Sequence, residues 1–277
     1  MFEDISPEVG EIDEAAVDEA MASSPDDLMA LLGDMVQATD EELRRKAKEL
    51  AARLVLDRAR IGQPGGRGTA RMRRVPADYG GDIDLDASMD AIIEARAGGR
   101  DASLDEIWAR DWARTDLAIC VVLDTSGSMS GDRLTASALS AAACAWRAPG
   151  ELSVLQFAKE VTVIRPIEGG KSSGALVGEV LGLRGHGVTG LAGALKAAAD
   201  ELGRARASRR VVLLLSDCRA TDDEDPIPFA KRIDELLILT PDDDTEAAEE
   251  LAAEANGKWR YLPGPTAAPQ LINDLLG

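Results

Sequence analysis

Leu117-Ala-Ile-Cys-Val-Val-Leu-Asp-Thr-Ser-Gly-Ser-Met129 is an apolar run that stops abruptly at an acid and two hydroxyls. Its length and β-branched residues predict a strand over 117–123. Asp124, Ser126 and Ser128 follow at every second position, in the turn past the strand's carboxyl end. Open α/β sheets bind their ligands at such turns. One carboxylate and two hydroxyls are hard oxygen donors, the kind Mg²⁺ selects for its octahedral shell while it keeps some of its waters. The same residue types also form ordinary turns and helix caps, so the stretch takes its meaning from what surrounds it.

Downstream of Thr115 the sequence alternates apolar runs with helical periodicity to its end. Strands are predicted at 117–123, 152–157, 161–164, 210–216, 236–240 and 259–262, and helices at 132–147, 174–182, 190–203, 227–234, 245–255 and 267–276. The close pair at 152–164 reads as a hairpin, which makes one edge strand antiparallel. The rest reads as a mainly parallel, doubly wound sheet with helices on both faces, a three-layer α/β/α fold.

Upstream the pattern differs. Ser24-Pro-Asp-Asp27 is a helix start with a Ser cap, Pro in the first turn and acids at the positive end of the dipole, and Leu28, Leu31, Leu32, Met35 and Val36 follow at helical spacing. Thr39-Asp-Glu-Glu42 reads as a second capping box, leading into Leu43, Ala47, Leu50 and Leu54, and a shorter helix is expected around 12–21. Residues 1–61 are thus expected to form a small acidic helical module, its stripes serving as intramolecular core. Residues 62–114 read as an Arg- and Gly-rich linker with a lead-in helix through Ile92, Ile93 and Ala97, and 115–277 as the α/β domain.

Two later segments complete the first. Gly185-His-Gly-Val-Thr-Gly190 precedes an Ala- and Leu-rich helix, and Val211-Val-Leu-Leu-Leu-Ser-Asp217 is another apolar strand ending in an acid. In a doubly wound sheet the strand ends carrying Asp124 and Asp217 stand as neighbours, and the loop with Thr189 closes over the same crevice. Two carboxylates and three hydroxyls converge there without a soft ligand, a set suited to Mg²⁺ or Mn²⁺.

The order Asp-x-Ser-x-Ser, then Thr, then Asp, each on its own strand or loop, resembles the von Willebrand factor A (VWA) domain family over residues 115–277. That resemblance implies a metal-ion-dependent adhesion site made by Asp124, Ser126, Ser128, Thr189 and Asp217. By this likeness the two serines and Thr189 reach the ion directly or through water, Asp124 and Asp217 bind it or orient its waters, and a partner protein's Asp or Glu fills the vacant position. Many relatives have Asp-Gly where this chain has Asp217-Cys218, and Cys218 is read as a tolerated replacement rather than a reactive thiol. Asp82-Ile-Asp-Leu-Asp86, Ala95-Arg-Ala97 and Arg114-Thr-Asp-Leu-Ala118 further resemble a bacterial subgroup. It includes the integrin-like subunits of magnesium and cobalt chelatases and the accessory proteins of nitric oxide reductase and carbon monoxide dehydrogenase. This narrower likeness implies a MoxR-type AAA+ ATPase as partner, in maturation or metal insertion of a client enzyme.

Composition removes other classes. The net charge is −19, with fourteen carboxylates and no Lys or Arg in residues 1–43, whereas residues 58–74 carry six arginines and no acid. A nucleic-acid surface needs a basic footprint that so acidic a chain lacks. No apolar run reaches the ~20 residues of a membrane span, and the amino terminus has no basic or apolar leader pattern. The 3 cysteines have no metal-ligand spacing and fit a reducing compartment, so a cytoplasmic protein is expected.

Rival motifs fit less well. Gly185-His-Gly-Val-Thr-Gly190 satisfies G-x-G-x-x-G but lacks a clear strand before it and a strand-end acid about 20 residues on. Gly169-Gly-Lys171 lacks the first glycine of a phosphate loop. The single histidine, His186, would have to serve Ser126 or Ser128 with Asp217 behind it for a hydrolase, and no G-x-S-x-G elbow surrounds those serines. Asp222-Asp-Glu-Asp225 and Asp242-Asp-Asp244 lack EF-hand spacing and read as solvated loops. The expected function is metal-dependent protein binding without catalysis. The alternatives are a chelatase subunit that touches its substrate and, behind it, a Ser/His hydrolase.

Overall fold

The computed structural model describes residues 1–7, 12–60, 72–112, 117–127, 131–185, 187–240 and 245–276. Four helices come first: α1 (Phe2–Ile5), α2 (Glu14–Ser23), α3 (Pro25–Val36) and α4 (Glu41–Ala59). Asp13 starts α2 by accepting the N–H groups of Ala15 and Ala16. Pro25 opens α3, where a missing N–H costs nothing, and Asp26 and Asp27 follow it. The cap of α4 is Asp40 rather than the Thr39 of the expected box. Its Oδ1 takes the Leu43 N–H at 2.7 Å, and an anionic acceptor suits the positive end of the dipole better than a hydroxyl.

The sequence reading placed no strand between 62 and 114. The structure builds a three-stranded antiparallel sheet there, in the order β1-β3-β2, from β1 (Met72–Pro76), β2 (Asp82–Ile83) and, after helix α5 (Leu85–Ala97), β3 (Trp108–Trp112). These strands are 5, 2 and 5 residues long and carry arginines in place of apolar alternation, so periodicity did not reveal them. Val75 and Ala109 reach the core, and polar contacts join the strands around them. Asp84 Oδ2 accepts from Arg74 Nε and Arg110 Nε, each at 3.0 Å, while Oδ1 caps α5 at the Ala87 N–H. The buried Ser88 hydroxyl accepts the Trp108 N–H at 2.9 Å and donates to the Asp84 carbonyl at 2.7 Å. Residues 61–71, most of the expected Arg- and Gly-rich stretch, lie outside the described residues.

From here every expected strand is present with bounds within one residue: β4 (Leu117–Asp124), then after helix α6 (Gly131–Arg147), β5 (Leu152–Phe157) and β6 (Val161–Arg165). Helices α7 (Ser173–Val180) and α8 (Leu191–Gly203) lead to β7 (Arg209–Leu215), α9 (Ile227–Ala230), β8 (Glu235–Thr240), α10 (Glu246–Glu254), β9 (Lys258–Tyr261) and α11 (Ala268–Leu276). The sheet runs β6-β5-β4-β7-β8-β9, parallel throughout except for the antiparallel edge pair β5–β6.

Strand β4 shows why its sequence is apolar without interruption. Ile119, Val121 and Leu123 enter the core on one face, and Ala118, Cys120 and Val122 enter the core on the other. A central parallel strand is covered on both sides, so neither parity of residue meets water. Helices α6, α7 and α11 cover the first face and α8, α9 and α10 the second. Outside α6 lies a further layer, because α3 and α4 pack against it. Every residue from Leu134 to Ala145 is therefore buried, and only a helix built of Ala, Ser and Thr with few large side chains can be enclosed so closely.

Candidate metal centre

The chain leaves β4 toward β5 on one side of the sheet and leaves β7 toward β8 on the other. The crevice of such a sheet opens where these directions diverge, here between the carboxyl ends of β4 and β7. Leu123 and Leu215 are the last residues that β4 and β7 pair with each other, so Asp124 at the end of β4 and Ser216 just past β7 stand side by side. The Ser216 hydroxyl donates to Asp124 Oδ2 at 2.5 Å, and the Ser126 N–H donates to Oδ1 at 2.9 Å. Asp124, Ser216 and Asp217 line one crevice together with Arg133, Ser137 and Leu262.

Burial pushes the Asp124 carboxyl above its ordinary value, and the charge of Asp217 pushes the same way. The hydrogen bonds from Ser126 and Ser216 oppose that rise without cancelling it. A half-buried carboxylate held beside a second acid favours positive charge in the space they share. The donor chemistry fits a hard divalent cation. Among the described residues no three His, Cys, Asp or Glu side chains group as a metal site, so any ion here depends on hydroxyls to complete its shell.

Thr189 is buried and its loop is fixed from both sides. Its N–H donates to Thr221 Oγ1 at 2.8 Å, while its carbonyl accepts the Thr221 N–H at 3.1 Å. The Gly190 N–H donates to the Ala158 carbonyl at 2.8 Å, tying the same loop to the end of β5. The Asp124 turn is thus linked to the Asp217 turn through Ser216, and the Thr189 loop to the segment after Asp217 through Thr221. On the other side of Asp124, the Thr125 N–H and hydroxyl both bond the Phe157 carbonyl at 2.8 Å. Gly127 then takes φ 67°, a conformation that turns the chain sharply after Ser126. Ser128 and His186 lie outside the described residues, as do Asp242, Asp243 and Asp244.

Cys218 adopts φ 61°. This left-handed conformation costs a residue with a Cβ roughly 1–2 kcal/mol. The Cys218 N–H donates to Ser216 Oγ at 2.9 Å, which holds the turn in place. Burial raises the thiol far above its ordinary value, with Asp217 and Asp124 adding to the effect, so it is a packed side chain and not a nucleophile. Ser216 and Thr221 were missed in the sequence. For Ser216 a signal existed, since a hydroxyl stands directly before the strand-end acid. Thr221 acts by clamping backbone, and no motif announces that.

The profile of the family described as VWA domain containing CoxE-like protein matches residues 58–254. No protein of curated function matches the sequence. Among solved structures, an aerotolerance-related membrane protein from Bacteroides fragilis is similar at 17% identity and TM-score 0.46, over 58% of this chain and 98% of its own. A von Willebrand factor type A protein from Catenulispora acidiphila is similar at 15% identity and TM-score 0.48, over 60% of this chain and 43% of its own. Proximal thread matrix protein 1 from the mussel byssus, with a zinc-occupied MIDAS motif, is similar at 14% identity and TM-score 0.48, over 58% of this chain and 47% of its own.

Proposed function

Because this chain belongs to the family of VWA domain containing CoxE-like proteins, we propose that it is a divalent-metal-dependent protein-binding module that performs no catalysis. One observation carries the reading: at the sheet's switch point the half-buried carboxylate of Asp124, held by the Ser216 hydroxyl, feels the charge of a second acid, Asp217. Asp124, Ser126, Ser128, Thr189 and Asp217 would hold Mg²⁺ or Mn²⁺. When bound, the ion supplies net positive charge and an open coordination position for a partner's Asp or Glu. The chain's own residues set the direction of that position. Ser216 and the Ser126 N–H fix both oxygens of Asp124, and Thr221 fixes the Thr189 loop.

The partner in this reading is a MoxR-type AAA+ ATPase, for which the protein is a cytoplasmic adaptor in the maturation or metal loading of a client enzyme. Support comes from the resemblance of Asp82–Asp86, Ala95–Ala97 and Arg114–Ala118 to that bacterial subgroup. Among the described residues no helix is long and apolar enough to cross a membrane.

The test is a calorimetric titration of Mg²⁺ and Mn²⁺ into wild type and Asp124→Ala, followed by capture of a purified MoxR-type ATPase with and without EDTA. Metal binding lost in Asp124→Ala, with ATPase capture lost in EDTA, supports the whole reading. An ATPase held equally well in EDTA overturns the metal bridge. Metal binding that survives Asp124→Ala overturns the site.

A further inference from the structure

More than half of the exposed large apolar side chains among the described residues fall in one short segment, between Ile83 and Trp108. Three of them are on α5. Leu85, Met89 and Ile93 are 61%, 47% and 58% exposed and recur every fourth residue, so they form one continuous ridge along the helix. The ridge extends ~12 Å at 1.5 Å per residue. The inner face of α5 is a different one, made by the buried Ser88 and Ala95. Among the described residues none of the three packs into the core, and exposed apolar surface of this kind marks interaction sites.

The neighbouring ridge, one residue further round, is Asp86, Asp90 and Glu94, all exposed. An apolar row beside an acidic row is complementary to a helix that carries an apolar stripe flanked by Lys or Arg. A second copy of this face would set three acids against three acids, which like-charge repulsion disfavours. The helix is also held rigid before any partner arrives. Asp84 caps its start while bridging Arg74 and Arg110, and Ser88 bonds it to the backbone of β3. Docking on a pre-ordered face loses little conformational entropy.

We propose that the outer face of α5 is a docking surface for a basic amphipathic helix of a partner protein, separate from the metal centre and independent of the ion. Partner helices in such complexes lay one apolar face, with anchors three or four residues apart, on a hydrophobic surface. On this chain Leu85, Met89 and Ile93 supply the apolar contact and Asp86, Asp90 and Glu94 the orientation.

The experiment is fluorescence anisotropy in EDTA with a labelled helical peptide that carries Leu at i, i+4 and i+8 beside a Lys and Arg stripe. It is titrated with the full chain, with Leu85→Ser, Met89→Ser, Ile93→Ser combined, and with Asp86→Asn, Asp90→Asn, Glu94→Gln combined. The single exchange Met89→Asp repeats the apolar test with one exposed position. Binding by wild type, a tenfold or greater loss in the apolar variants, and a weaker salt dependence in the neutralised one are expected. No binding by wild type overturns the proposal, and so does equal affinity in the apolar variants, which would assign the peptide to the chain's overall negative charge. Sedimentation velocity supplies the third arm. A dimer of wild type that the apolar variants abolish gives the face to a second copy and overturns the partner helix.

Discussion

The carboxylate of Asp34, on α3, accepts the backbone N–H of Gly131, the first residue of α6, at 2.9 Å. Helix α6 is the element that follows the Asp124 turn, so an acid from the start of the chain satisfies one of the orphan donors beside the candidate metal centre. The two backbones also touch. A Cβ on Gly33 would stand 2.6 Å from the Gly131 carbonyl oxygen, and a Cβ on Gly131 would stand 1.9 Å from that of Ala30. Two glycines and one acid seat the N-terminal helices on the core domain.

Gly33→Ala therefore sets two effects against each other. Helix propensity gains roughly 1 kcal/mol, while forcing a methyl against backbone costs about 1–3 kcal/mol, and the contact is with main chain that cannot swing aside. Net destabilisation of up to about 2 kcal/mol is expected in urea unfolding. Asp34→Ala should cost about 1 kcal/mol through loss of the Gly131 bond. Asp34→Asn keeps an acceptor and relieves repulsion on Asp132, whose carboxyl is raised by burial and further by Asp34, Asp26 and Asp27. Equal stabilities for the Ala and Asn variants would show that the bond contributes nothing.

Asp124 gives the fold a pH dependence whose sign reverses when metal binds. Its folded pKa lies above its unfolded one, so without metal its contribution is most favourable below the ordinary carboxylate range and is lost as pH rises through the folded value. At neutral pH the ionised, half-buried carboxylate is a cost. Asp124→Asn should raise the metal-free melting temperature at pH 7 and leave it unchanged at pH 3. Added Mg²⁺ at 100 times its Kd should stabilise wild type by about 2.7 kcal/mol and the variant not at all. Thermal scans with EDTA or Mg²⁺ at both pH values check each limb, and a metal-free variant less stable than wild type at pH 7 would contradict the cost assigned to that charge.

The parts legible in the sequence are those whose physics is periodic or terminal. Strands β4, β7 and β8 announce themselves as unbroken apolar runs because both faces are covered, and Asp124 and Asp217 stand out because an acid ends each of two such runs. The β1-β3-β2 sheet was not legible because its strands are short and rich in Arg, and the contacts of Asp84 with Arg74 and Arg110 join separate segments with no repeat to betray them. The cover that α3 and α4 place over α6 did leave a trace. Leu134–Ala145 carries no charged residue and only small polar ones, the mark of a helix enclosed on every side. Ser216 escaped although the two strand ends were expected to be neighbours, because it acts by orienting Asp124 rather than as one of the expected donors.

Ser216 serves two turns at once, donating to Asp124 Oδ2 and accepting the Cys218 N–H. Ser216→Ala leaves both groups without that partner at a buried position, a loss of about 1–3 kcal/mol. Groups that orient a metal's ligands commonly contribute 10–100-fold to affinity, and a loss of roughly that size in Mn²⁺ binding is expected, read by paramagnetic resonance of the free ion. Ser216→Thr keeps the hydroxyl and should recover most of it. Unchanged Mn²⁺ affinity in Ser216→Ala would reduce this residue to a structural bridge.

Cys218 separates backbone strain from thiol chemistry. Cys120, Cys144 and Cys218 are free and buried, and burial raises all three thiols, Cys144 to about 12. Thiolate is therefore scarce at neutral pH, and an aromatic disulfide reagent should react with none of them in the native protein and with all three after denaturation. The strain is tested by substitution at the positive φ. Cys218→Gly removes a left-handed penalty of roughly 1–2 kcal/mol but also the buried sulfur, so stability close to wild type is expected. Cys218→Val puts a β-branched side chain in the same conformation and should cost more than 2 kcal/mol, because branching at Cβ worsens the clash that φ 61° already imposes. Rapid labelling of one native thiol would overturn the buried placement of that cysteine, and a valine variant as stable as the glycine one would show that the turn after β7 relaxes away from the left-handed conformation.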